Sequence, residues 1–420
     1  MDHFTYKNGA LHAEGVPLTR IAEAVDTPAY VYSSATLVHH FRTFADAFKG
    51  QDAEVCYAVK ANSNQAVITT LAREGAGADV LSEGEMRRAL AAGIPASRMV
   101  FSGVGKSRAE ITLALGEGIG QINVESEPEL ELISEIASAM NTRAPIALRV
   151  NPDVDARTHE KITTGRKENK FGIDIARAPA VYERAAALPG IKVVGVAVHI
   201  GSQLIDLTPF RDAFTLVAAL VTELRSRGHD ITRLDLGGGL GVPYRNEVPP
   251  APADYAAMVK ETVGHLGARL VFEPGRLIAA NAGILLTRVL YVKTGDTKTF
   301  VVVDAGMNDL IRPTLYDAWH TIVPVTEAAA GTPEVAVDVV GPVCETGDIF
   351  AANRPLPLPR AGDLLAIRSA GAYGAVMASS YNSRPLLPEL MVREAEFSVI
   401  RPRQTLEQLM GQDRLPDWLA

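Results

Sequence analysis

The chain has 420 residues, of which 47% are hydrophobic and 21% charged, so it is long enough for two domains and ordinary in composition for a globular protein. Its formal net charge of −8 argues against a nucleic-acid-binding surface, which would be basic. No apolar run reaches the roughly 18 residues of a membrane span, no secretory signal is visible, and two cysteines are too few for a disulfide framework, so we expect a cytoplasmic protein.

The first predicted elements are a strand at Ala29–Tyr32 and a helix from Ser34 to Phe48. Beyond Val55, short apolar strands alternate with amphipathic helices, which is typical of a parallel sheet. The strands lie near residues 54–60, 78–81, 99–102, 121–124, 146–151, 193–200, 233–236 and 269–273. The clearest helices between them are Glu83–Ala92, Glu127–Ala139 and Pro209–Arg227. Eight strands over about 220 residues favour a (β/α)8 barrel, whose usual length is about 250 residues, although an open doubly wound sheet shows the same alternation.

Nearly every predicted strand is followed by a polar residue or a glycine. These residues are Lys60, Asp79, Ser102, Glu125, Asn151, His199, Gly237 and Glu273. Barrel enzymes build their sites at the carboxyl ends of the strands. The pattern therefore predicts a single active site at the end of the barrel where these residues meet.

The predicted secondary structure changes after about residue 282, where long helices become few. Strand-like runs with turns between them predict a mainly antiparallel β domain. These runs are Gly283–Val292, Thr299–Asp304, Glu334–Val340, Leu364–Arg368 and Ala395–Ile400. We expect a barrel domain at residues 34–282 and a β domain formed by residues 1–33 and 283–420, with the early strand joining the second domain.

Lys60 ends the first predicted barrel strand. Alternation along a strand places the small side chains of Cys56 and Ala58 on the same face as Lys60. A lysine at the end of a buried strand is partly desolvated, which lowers its pKa, and a neutral amine can form a Schiff base with an aldehyde. The alternative is a solvated lysine that marks the strand's exit into water.

Two glycine-containing segments follow the last two barrel strands. The run Gly237–Gly241 can point successive N–H groups at an anion, and the loops after strands seven and eight of a barrel often bind phosphate. After strand eight, Glu273 can face a cationic heterocycle, Gly275 permits close approach of the backbone, and Arg276 can bind a carboxylate. A tight turn and a Glu–Arg ion pair are the corresponding structural interpretations.

His199 and Ser202 follow strand six and add weaker support. A flat imidazole can stack on a planar cofactor, and a serine hydroxyl can donate to phosphate, although a single histidine is more often structural. Together with Lys60 and Glu273, these residues supply what pyridoxal phosphate (PLP) needs: an aldehyde partner, a phosphate site and a partner for the ring nitrogen.

The chain resembles the alanine-racemase-type (fold-type III) PLP-dependent decarboxylases over nearly its whole length. The motifs that carry the resemblance are Tyr57–Asn62, His199–Gln203, Gly237–Gly239, Glu273–Arg276, Gly341–Asp348 and Gly371–Tyr373. The resemblance implies decarboxylation of meso-2,6-diaminopimelate at its D-centre, giving L-lysine and CO2 in the last step of lysine biosynthesis. It also implies a homodimer with shared active sites.

The resemblance further implies roles for individual residues at the cofactor. Lys60 would hold PLP through the Schiff base, His199 would stack on its ring, Glu273 would pair with the ring nitrogen, and Asp79 would lie nearby. The phosphate would be bound by Gly239, Gly275, Arg276, Tyr373 and, more weakly, Ser202.

At the substrate, the resemblance implies that Arg276, Arg312 and Tyr316 hold the distal carboxylate, with Tyr373 also nearby, and that Glu345 holds the distal ammonium. Cys344, reaching in from the partner subunit, would reprotonate the substrate carbon. From the residues alone, a free cysteine is more often buried and inert. Arg312 and Tyr316 would likewise be an ordinary ion-pair arginine and a packing tyrosine.

The segment Asp153–Gly172 is a long polar insertion after the fifth predicted strand. Loops of this length in compact domains are often lids or disordered, and the segment is similar to the family's mobile loop. A solvated, charged surface loop is the alternative.

Four other functions remain open from the sequence. An ornithine or arginine decarboxylase would have no distal carboxylate for Arg312 and Tyr316 to hold. A racemase of this fold would have an arginine where Glu273 stands. A non-catalytic relative that binds partners, or a PLP carrier, is disfavoured by the presence of Lys60, Glu273 and Cys344 together and by the added β domain.

Overall fold

The computed structural model describes residues 2–155 and 170–419. The chain divides into two compact units, one formed by Val38–Ile278 and the other by Met1–Leu37 together with Ala279–Ala420. Among the described helices, none combines the length and the apolar character that a membrane span requires.

The described strands and helices alternate through the first unit and give way mainly to strands in the second. In chain order the strands are β1 (Phe4–Lys7), β2 (Ala10–Ala13), β3 (Val16–Pro17), β4 (Ala29–Ser33), β5 (Ala53–Ala58), β6 (Gly77–Val80), β7 (Met99–Phe101), β8 (Gln121–Val124), β9 (Ala144–Asn151), β10 (Ile173–Asp174), β11 (Ile191–Ala197), β12 (Arg233–Asp235), β13 (Arg269–Phe272), β14 (Gly283–Thr294), β15 (Thr299–Val303), β16 (Ile322–Pro324), β17 (Glu334–Val340), β18 (Ile349–Pro357), β19 (Leu364–Ile367), β20 (Glu389–Arg393) and β21 (Glu396–Arg401). The α-helices are α1 (Leu18–Val25), α2 (Ser34–Ala47), α3 (Gln65–Arg73), α4 (Glu83–Ala91), α5 (Arg108–Gly116), α6 (Glu127–Ala139), α7 (Ala178–Ala187), α8 (Thr208–Ser226), α9 (Pro252–Val263), α10 (Arg276–Ala279), α11 (Arg312–Tyr316) and α12 (Leu406–Met410).

The first unit is a closed barrel of parallel strands. Strands β5, β6, β7, β8, β9, β11, β12 and β13 pair in this order, and β13 pairs with β5 to complete the circle. Most of their residues are buried, as expected for a parallel sheet that is covered on its outside by helices and filled on its inside by side chains. The predicted (β/α)8 barrel is confirmed, and the alternative prediction of an open doubly wound sheet is wrong.

Serine caps fix the starts of three consecutive barrel helices. The side chains of Ser82, Ser107 and Ser126 accept hydrogen bonds from the backbone of the residue three positions later, at the start of α4, α5 and α6. A capped amide satisfies one of the N–H groups that a helix leaves unpaired at its start. The caps therefore fix where each strand–helix loop ends, and these loops surround the mouth of the barrel.

The end of β5 differs from the prediction. The strand stops at Ala58, and Lys60 lies in a 3-10 turn formed by Val59–Ala61. Lys60 is therefore not on the strand face that carries Cys56 and Ala58. Alternation of side chains identifies a strand but contains no signal for its last residue, and here the Ala58 N–H donates to the Pro274 carbonyl at 3.2 Å as the chain leaves the sheet.

The second unit is built on a mainly antiparallel sheet with the order β18-β17-β15-β14-β4-β20-β21, and β19 pairs with both β14 and β16. The early strand β4 lies between β14, to which it is antiparallel, and β20, to which it is parallel. Its Val31 belongs to a buried cluster with Ile284 and Leu390, so both parts of the unit build one core. The prediction that the early strand joins the β domain is confirmed.

Several strands of the second unit were absent from the sequence prediction. They are the small sheet of β1, β2 and β3, together with β16, β18 and β20. Strand β18 contains the sequence Asn353-Arg354-Pro355, whose polar and proline residues are typical of loops. Of the predicted Asp153–Gly172 loop, residues 156–169 lie outside the described part of the chain, so the lid interpretation stays a prediction.

Candidate active site

Lys60 and Asp79 form an ion pair at the carboxyl ends of two adjacent strands. Because Ala58 and Asp79 are register partners in β5 and β6, the chain delivers both side chains to the same edge of the barrel. Lys60 Nζ lies 3.2 Å from Asp79 Oδ2. The Asp79 side chain is fully buried, whereas one third of the Lys60 side chain is exposed, so the amine is held at a place that solvent can reach.

Glu273 lies in a buried polar network inside the barrel. Its Oε1 accepts from Ser102 Oγ and Asn123 Nδ2, each at 3.3 Å, and Asn123 Nδ2 also donates to Asp235 Oδ2 at 2.9 Å. Burial, followed by the negative charges of Asp235 and Asp79, raises the pKa of Glu273 well above its usual value. Burial also raises the pKa of Asp235 to about 6. The network therefore retains protons that exposed acids would lose near neutral pH.

His199 is fixed by the glycine loop. Its Nδ1 accepts the Gly238 N–H at 3.2 Å, which leaves the other ring nitrogen to carry the hydrogen of a neutral imidazole. Burial, followed by the positive charges of Arg149 and Lys60, lowers the pKa of His199 well below its usual value. The structure thus provides an uncharged, oriented ring at the end of the sixth barrel strand.

Two glycines of the predicted phosphate site have no room for a side chain. Gly239 has a φ of +110°, and a Cβ there would lie 2.5 Å from the Gly201 carbonyl oxygen. A Cβ on Gly275 would lie 2.9 Å from the Cβ of Ala61 and 3.0 Å from that of Ala58. The segment after β13 therefore brings its backbone close to Ala58 and Ala61, which flank Lys60, and the glycine loop packs its backbone against that of Gly201.

Arg276 is held by two hydroxyl groups. Its Nε and Nη2 donate to Ser202 Oγ at 3.2 and 3.1 Å, and its Nη1 donates to Tyr244 Oη at 2.7 Å. The structure brings Ser202 and Arg276 together, as a shared phosphate or carboxylate site requires. Tyr244 was not predicted, because it follows the glycine run in a loop where no spacing or periodicity distinguishes it.

A second set of charges supports the mouth of the barrel. Arg149 Nη1 pairs with Glu125 Oε1 at 2.9 Å, and its guanidinium lies 4.8 Å from the centre of the Phe171 ring. Glu125 Oε2 also accepts the Gly172 N–H at 2.9 Å. The predicted strand-end residue Glu125 thus fixes the point where the chain returns to the barrel before β10, and is occupied by structural contacts.

Glu85 is an acid near the site that sequence reasoning missed. Burial raises its pKa to about 7, and the negative charge of Asp79 adds to the effect. Its Oε2 accepts the Leu81 N–H at 2.8 Å, and its own N–H donates to Ser82 Oγ. In the sequence, a serine followed three residues later by a glutamate indicates only a helix cap, so the proximity to Asp79 has no signal there.

Arg312 and Tyr316 lie four residues apart on α11, so their side chains share one face of that helix. Arg312 is buried, and its Nη1 lies 2.9 Å from His320 Nε2. Thr314 Oγ1 donates to the Gly347 carbonyl at 2.7 Å, which joins α11 to the turn that contains the predicted residues Cys344 and Glu345.

The thiol of Cys344 is exposed, and its backbone N–H donates to Asn382 Oδ1 at 3.0 Å. The side chain of Glu345 is hydrogen-bonded to that of Tyr381, which raises the pKa of the Tyr381 phenol. Tyr373 has a φ of +55°, a strained conformation for an aromatic residue that is often found at functional sites.

The predicted site residues therefore fall into two groups. The barrel unit brings together Lys60, Asp79, His199, Ser202, Gly239, Glu273, Gly275 and Arg276. The second unit contains Arg312, Tyr316, Cys344, Glu345 and Tyr373.

The barrel fold, the Lys60–Asp79 ion pair, the buried Glu273 and the glycine loop together are typical of enzymes that use pyridoxal. Residues 34–280 match the family described as pyridoxal-dependent decarboxylase, pyridoxal binding domain. Because this match covers more than half of the chain, the chain belongs to the pyridoxal-dependent decarboxylases.

Within that family, the chain belongs with the diaminopimelate decarboxylases. It is 52% identical to the diaminopimelate decarboxylase of Pseudomonas aeruginosa, over 99% of this chain and 100% of that protein. It is 49% identical to that of Zymomonas mobilis, over 99% of each. Among solved structures, the diaminopimelate decarboxylase of M. jannaschii in complex with L-lysine is 36% identical, with a TM-score of 0.95 over 100% of this chain and 99% of that one.

Proposed function

We propose that this protein uses PLP to decarboxylate meso-2,6-diaminopimelate at its D-centre, giving L-lysine and CO2 in the last step of lysine biosynthesis. Relatives that are about half identical over the full length are named diaminopimelate decarboxylase, and the similar M. jannaschii structure is a complex with L-lysine. The observation that carries the proposal is the Lys60–Asp79 ion pair next to the buried Glu273 at the carboxyl ends of the barrel strands.

The barrel residues fit pyridoxal phosphate. Asp79 Oδ1 is buried and has no hydrogen-bond partner among the described residues, so a polar group is expected opposite it. The Lys60 amine can form the covalent bond to the aldehyde. The close backbone approach at Gly239 belongs to the loop after the seventh strand, where barrels often bind phosphate. When bound, PLP supplies an electron-withdrawing ring that accepts the electron pair left behind by CO2.

The chain's own residues then have distinct tasks in this proposal. Glu273 holds a proton at its carboxyl group and shares it with a ring nitrogen, which its raised pKa favours. His199 offers the face of a neutral imidazole, since its pKa is low and its Nδ1 is fixed by Gly238. The phosphate is bound by Gly239, Gly275, Arg276 and Tyr373, with Ser202 as a weaker donor.

We propose that the distal carboxylate of the substrate is bound by Arg276, Arg312 and Tyr316. The distal ammonium is bound by Glu345, and Tyr373 also contacts the substrate. Cys344 donates a proton from Sγ to the substrate carbon after CO2 leaves. The exposure of the Cys344 thiol supports a role outside its own chain's core, and we propose a homodimer in which Cys344 and Glu345 serve the second copy's site.

The proposed division of labour follows the domains predicted from the sequence. Residues 34–282 form the PLP-binding domain, and residues 1–33 and 283–420 contribute Cys344, Glu345 and the dimer interface. Two cysteines, both free, fit a reducing cytoplasm as the location of the protein.

The test compares four amino acids as substrates of the purified protein with added PLP. CO2 release is followed from meso-diaminopimelate, ornithine, arginine and lysine. We expect release from diaminopimelate alone, with L-lysine accumulating. Release from ornithine or arginine would preserve the PLP chemistry but overturn the assignments of Arg276, Arg312, Tyr316 and Glu345. No release from any of the four, with the cofactor still bound, would instead indicate a binding role.

A further inference from the structure

Arg312 has an unusual neighbour for a proposed substrate-binding arginine. Helix α11 ends at Tyr316, and Asp317, with a φ of +51°, turns the chain back. This turn brings the fully buried ring of His320 to Arg312, with 2.9 Å between Nε2 and Arg312 Nη1. The other ring nitrogen, Nδ1, lies 2.8 Å from the carbonyl oxygen of Arg368.

These two contacts define the protonation state of His320. A guanidinium N–H can only donate, so Nε2 must carry the lone pair that accepts from Arg312. A carbonyl oxygen can only accept, so Nδ1 must carry the hydrogen that is donated to Arg368. His320 is therefore a neutral imidazole in a single tautomer. Its contact orients Arg312 and leaves the positive charge of the guanidinium in place. A carboxylate partner would instead neutralise that charge.

The backbone around His320 is fixed to the sheet of the second unit. The Arg368 N–H donates to the Thr321 carbonyl at 2.8 Å, and β16 pairs with β19 directly beyond this bond. Arg354 Nη1 donates to the His320 carbonyl at 2.7 Å. The imidazole is thus held by strand pairing as well as by its own hydrogen bonds, so it can serve as a rigid support.

We propose that His320 is a positioning residue that holds the guanidinium of Arg312 in the orientation that binds the distal carboxylate of the substrate and of the product. The inference rests on the proposed function, in which Arg312 binds that carboxylate. A rigid, neutral partner restricts the rotamers of a flexible side chain before the ligand arrives, and such preorganisation increases affinity. His320 itself touches neither the reacting carbon nor the cofactor in this assignment.

The experiment uses two ligands of the PLP-loaded protein that differ by one carboxylate. L-lysine retains the distal carboxylate, whereas 1,5-diaminopentane has the same chain and both amines without it. Inhibition constants of the two are measured against diaminopimelate turnover. The variants are His320→Asn, which keeps a donor for Arg368 but loses the acceptor for Arg312, and His320→Gln, which keeps an acceptor at the position of Nε2. The exposed His265→Asn serves as a control.

We expect His320→Asn to weaken L-lysine inhibition about tenfold, which corresponds to the loss of one hydrogen bond, and to leave 1,5-diaminopentane unchanged. The KM for diaminopimelate should rise with little change in kcat, and His320→Gln should restore most of the affinity. In an Arg312→Ala background, His320→Asn should have no further effect on L-lysine.

Each contrary result has a distinct meaning. The ratio of the two inhibition constants does not depend on how much of a variant folds, so reduced folding cannot imitate the expected result. Equal losses for the two ligands, or no loss for L-lysine, would overturn the role of His320 and leave the proposed function intact. A wild-type protein that binds L-lysine no better than 1,5-diaminopentane would overturn the assignment of Arg312 and the inference with it.

Discussion

Asp235 and Glu273 are hydrogen-bonded to each other through their side chains although both are buried inside the barrel. Two acids this close cannot both ionise at low cost, so the pair keeps a proton near neutral pH. Asn123 Nδ2 donates to an oxygen of each, at 2.9 and 3.3 Å, and orients the pair. Asp235 Oδ1 also accepts the Gly237 N–H at 3.0 Å, so one carboxylate joins Glu273 to the glycine loop.

We expect Asp235→Asn to lower the pKa of Glu273, because the charge of Asp235 is one of the causes that raise it. The alkaline limb of the pH profile of kcat, where this shared proton is lost, should move to lower pH. The kcat itself should fall about tenfold, since a hydrogen bond of about 1–1.5 kcal/mol that positions Glu273 is weakened. The exposed Asp230→Asn is the control. An unmoved alkaline limb would show that the pair does not govern the proton of Glu273.

We expect Lys60→Ala to abolish turnover and the visible absorption of the bound cofactor, because the only amine paired with Asp79 in the described site is removed. The exposed Lys192→Ala is the matched control and should keep both. Absorption spectra and CO2 release measure the outcome, and the melting temperature reports folding. Turnover near the wild-type rate in Lys60→Ala would contradict the assignment of the covalent attachment.

We expect Gly239→Ala to weaken PLP binding at least about tenfold. The new methyl group would meet the Gly201 carbonyl at 2.5 Å, which displaces the proposed phosphate loop. Gly228→Ala isolates the backbone effect, since its φ is +91° and nothing lies within 4 Å of the added Cβ. Titration of the unloaded variants with PLP measures affinity. Equal affinities in the two variants would mean that this loop does not bind the phosphate.

We expect Glu85→Gln to change how stability depends on pH. The pKa of Glu85 is about 7 in the folded state, above its ordinary value of 4.5, so between these values the folded chain binds more protons than the unfolded chain. The free energy of unfolding therefore falls as pH rises from about 4.5 to 7, by up to about 3 kcal/mol from this residue. Glu85→Gln should remove this decline in denaturant titrations at pH 5 and pH 7. An identical pH dependence in the two proteins would exclude Glu85 as its source.

We expect Arg312→Ala to raise the KM for diaminopimelate far more than it changes PLP affinity. The guanidinium is buried, and loss of a buried charged contact costs roughly 2–5 kcal/mol. The exposed Arg393→Ala should leave both constants unchanged. Steady-state kinetics and PLP titration measure the two quantities. An unchanged KM would show that Arg312 does not hold the substrate.

The sequence was sufficient to predict the barrel because its strands and helices repeat with distinct periods. It was also sufficient to predict that polar residues at the strand ends meet, since parallel strands place their carboxyl ends together. It could not predict the 3-10 turn at Lys60, because a strand pattern does not mark its own last residue. His320 and Tyr244 were missed for another reason: each contacts its arginine, Arg312 or Arg276, through a side-chain pairing that follows neither the helical nor the strand period.

The position of β4 has a consequence for how the chain folds during synthesis. This strand is complete after 33 residues, but its two neighbours in the sheet, β14 and β20, begin at Gly283 and Glu389. All the strands and helices of the barrel are translated in the interval, so the barrel can fold while β4 still has no partner. One edge of β4 can pair once β14 has been synthesised, but the other edge stays unpaired until β20 has followed. Chaperone dependence and aggregation of truncated chains should accordingly increase when the segment from Glu389 onward is missing.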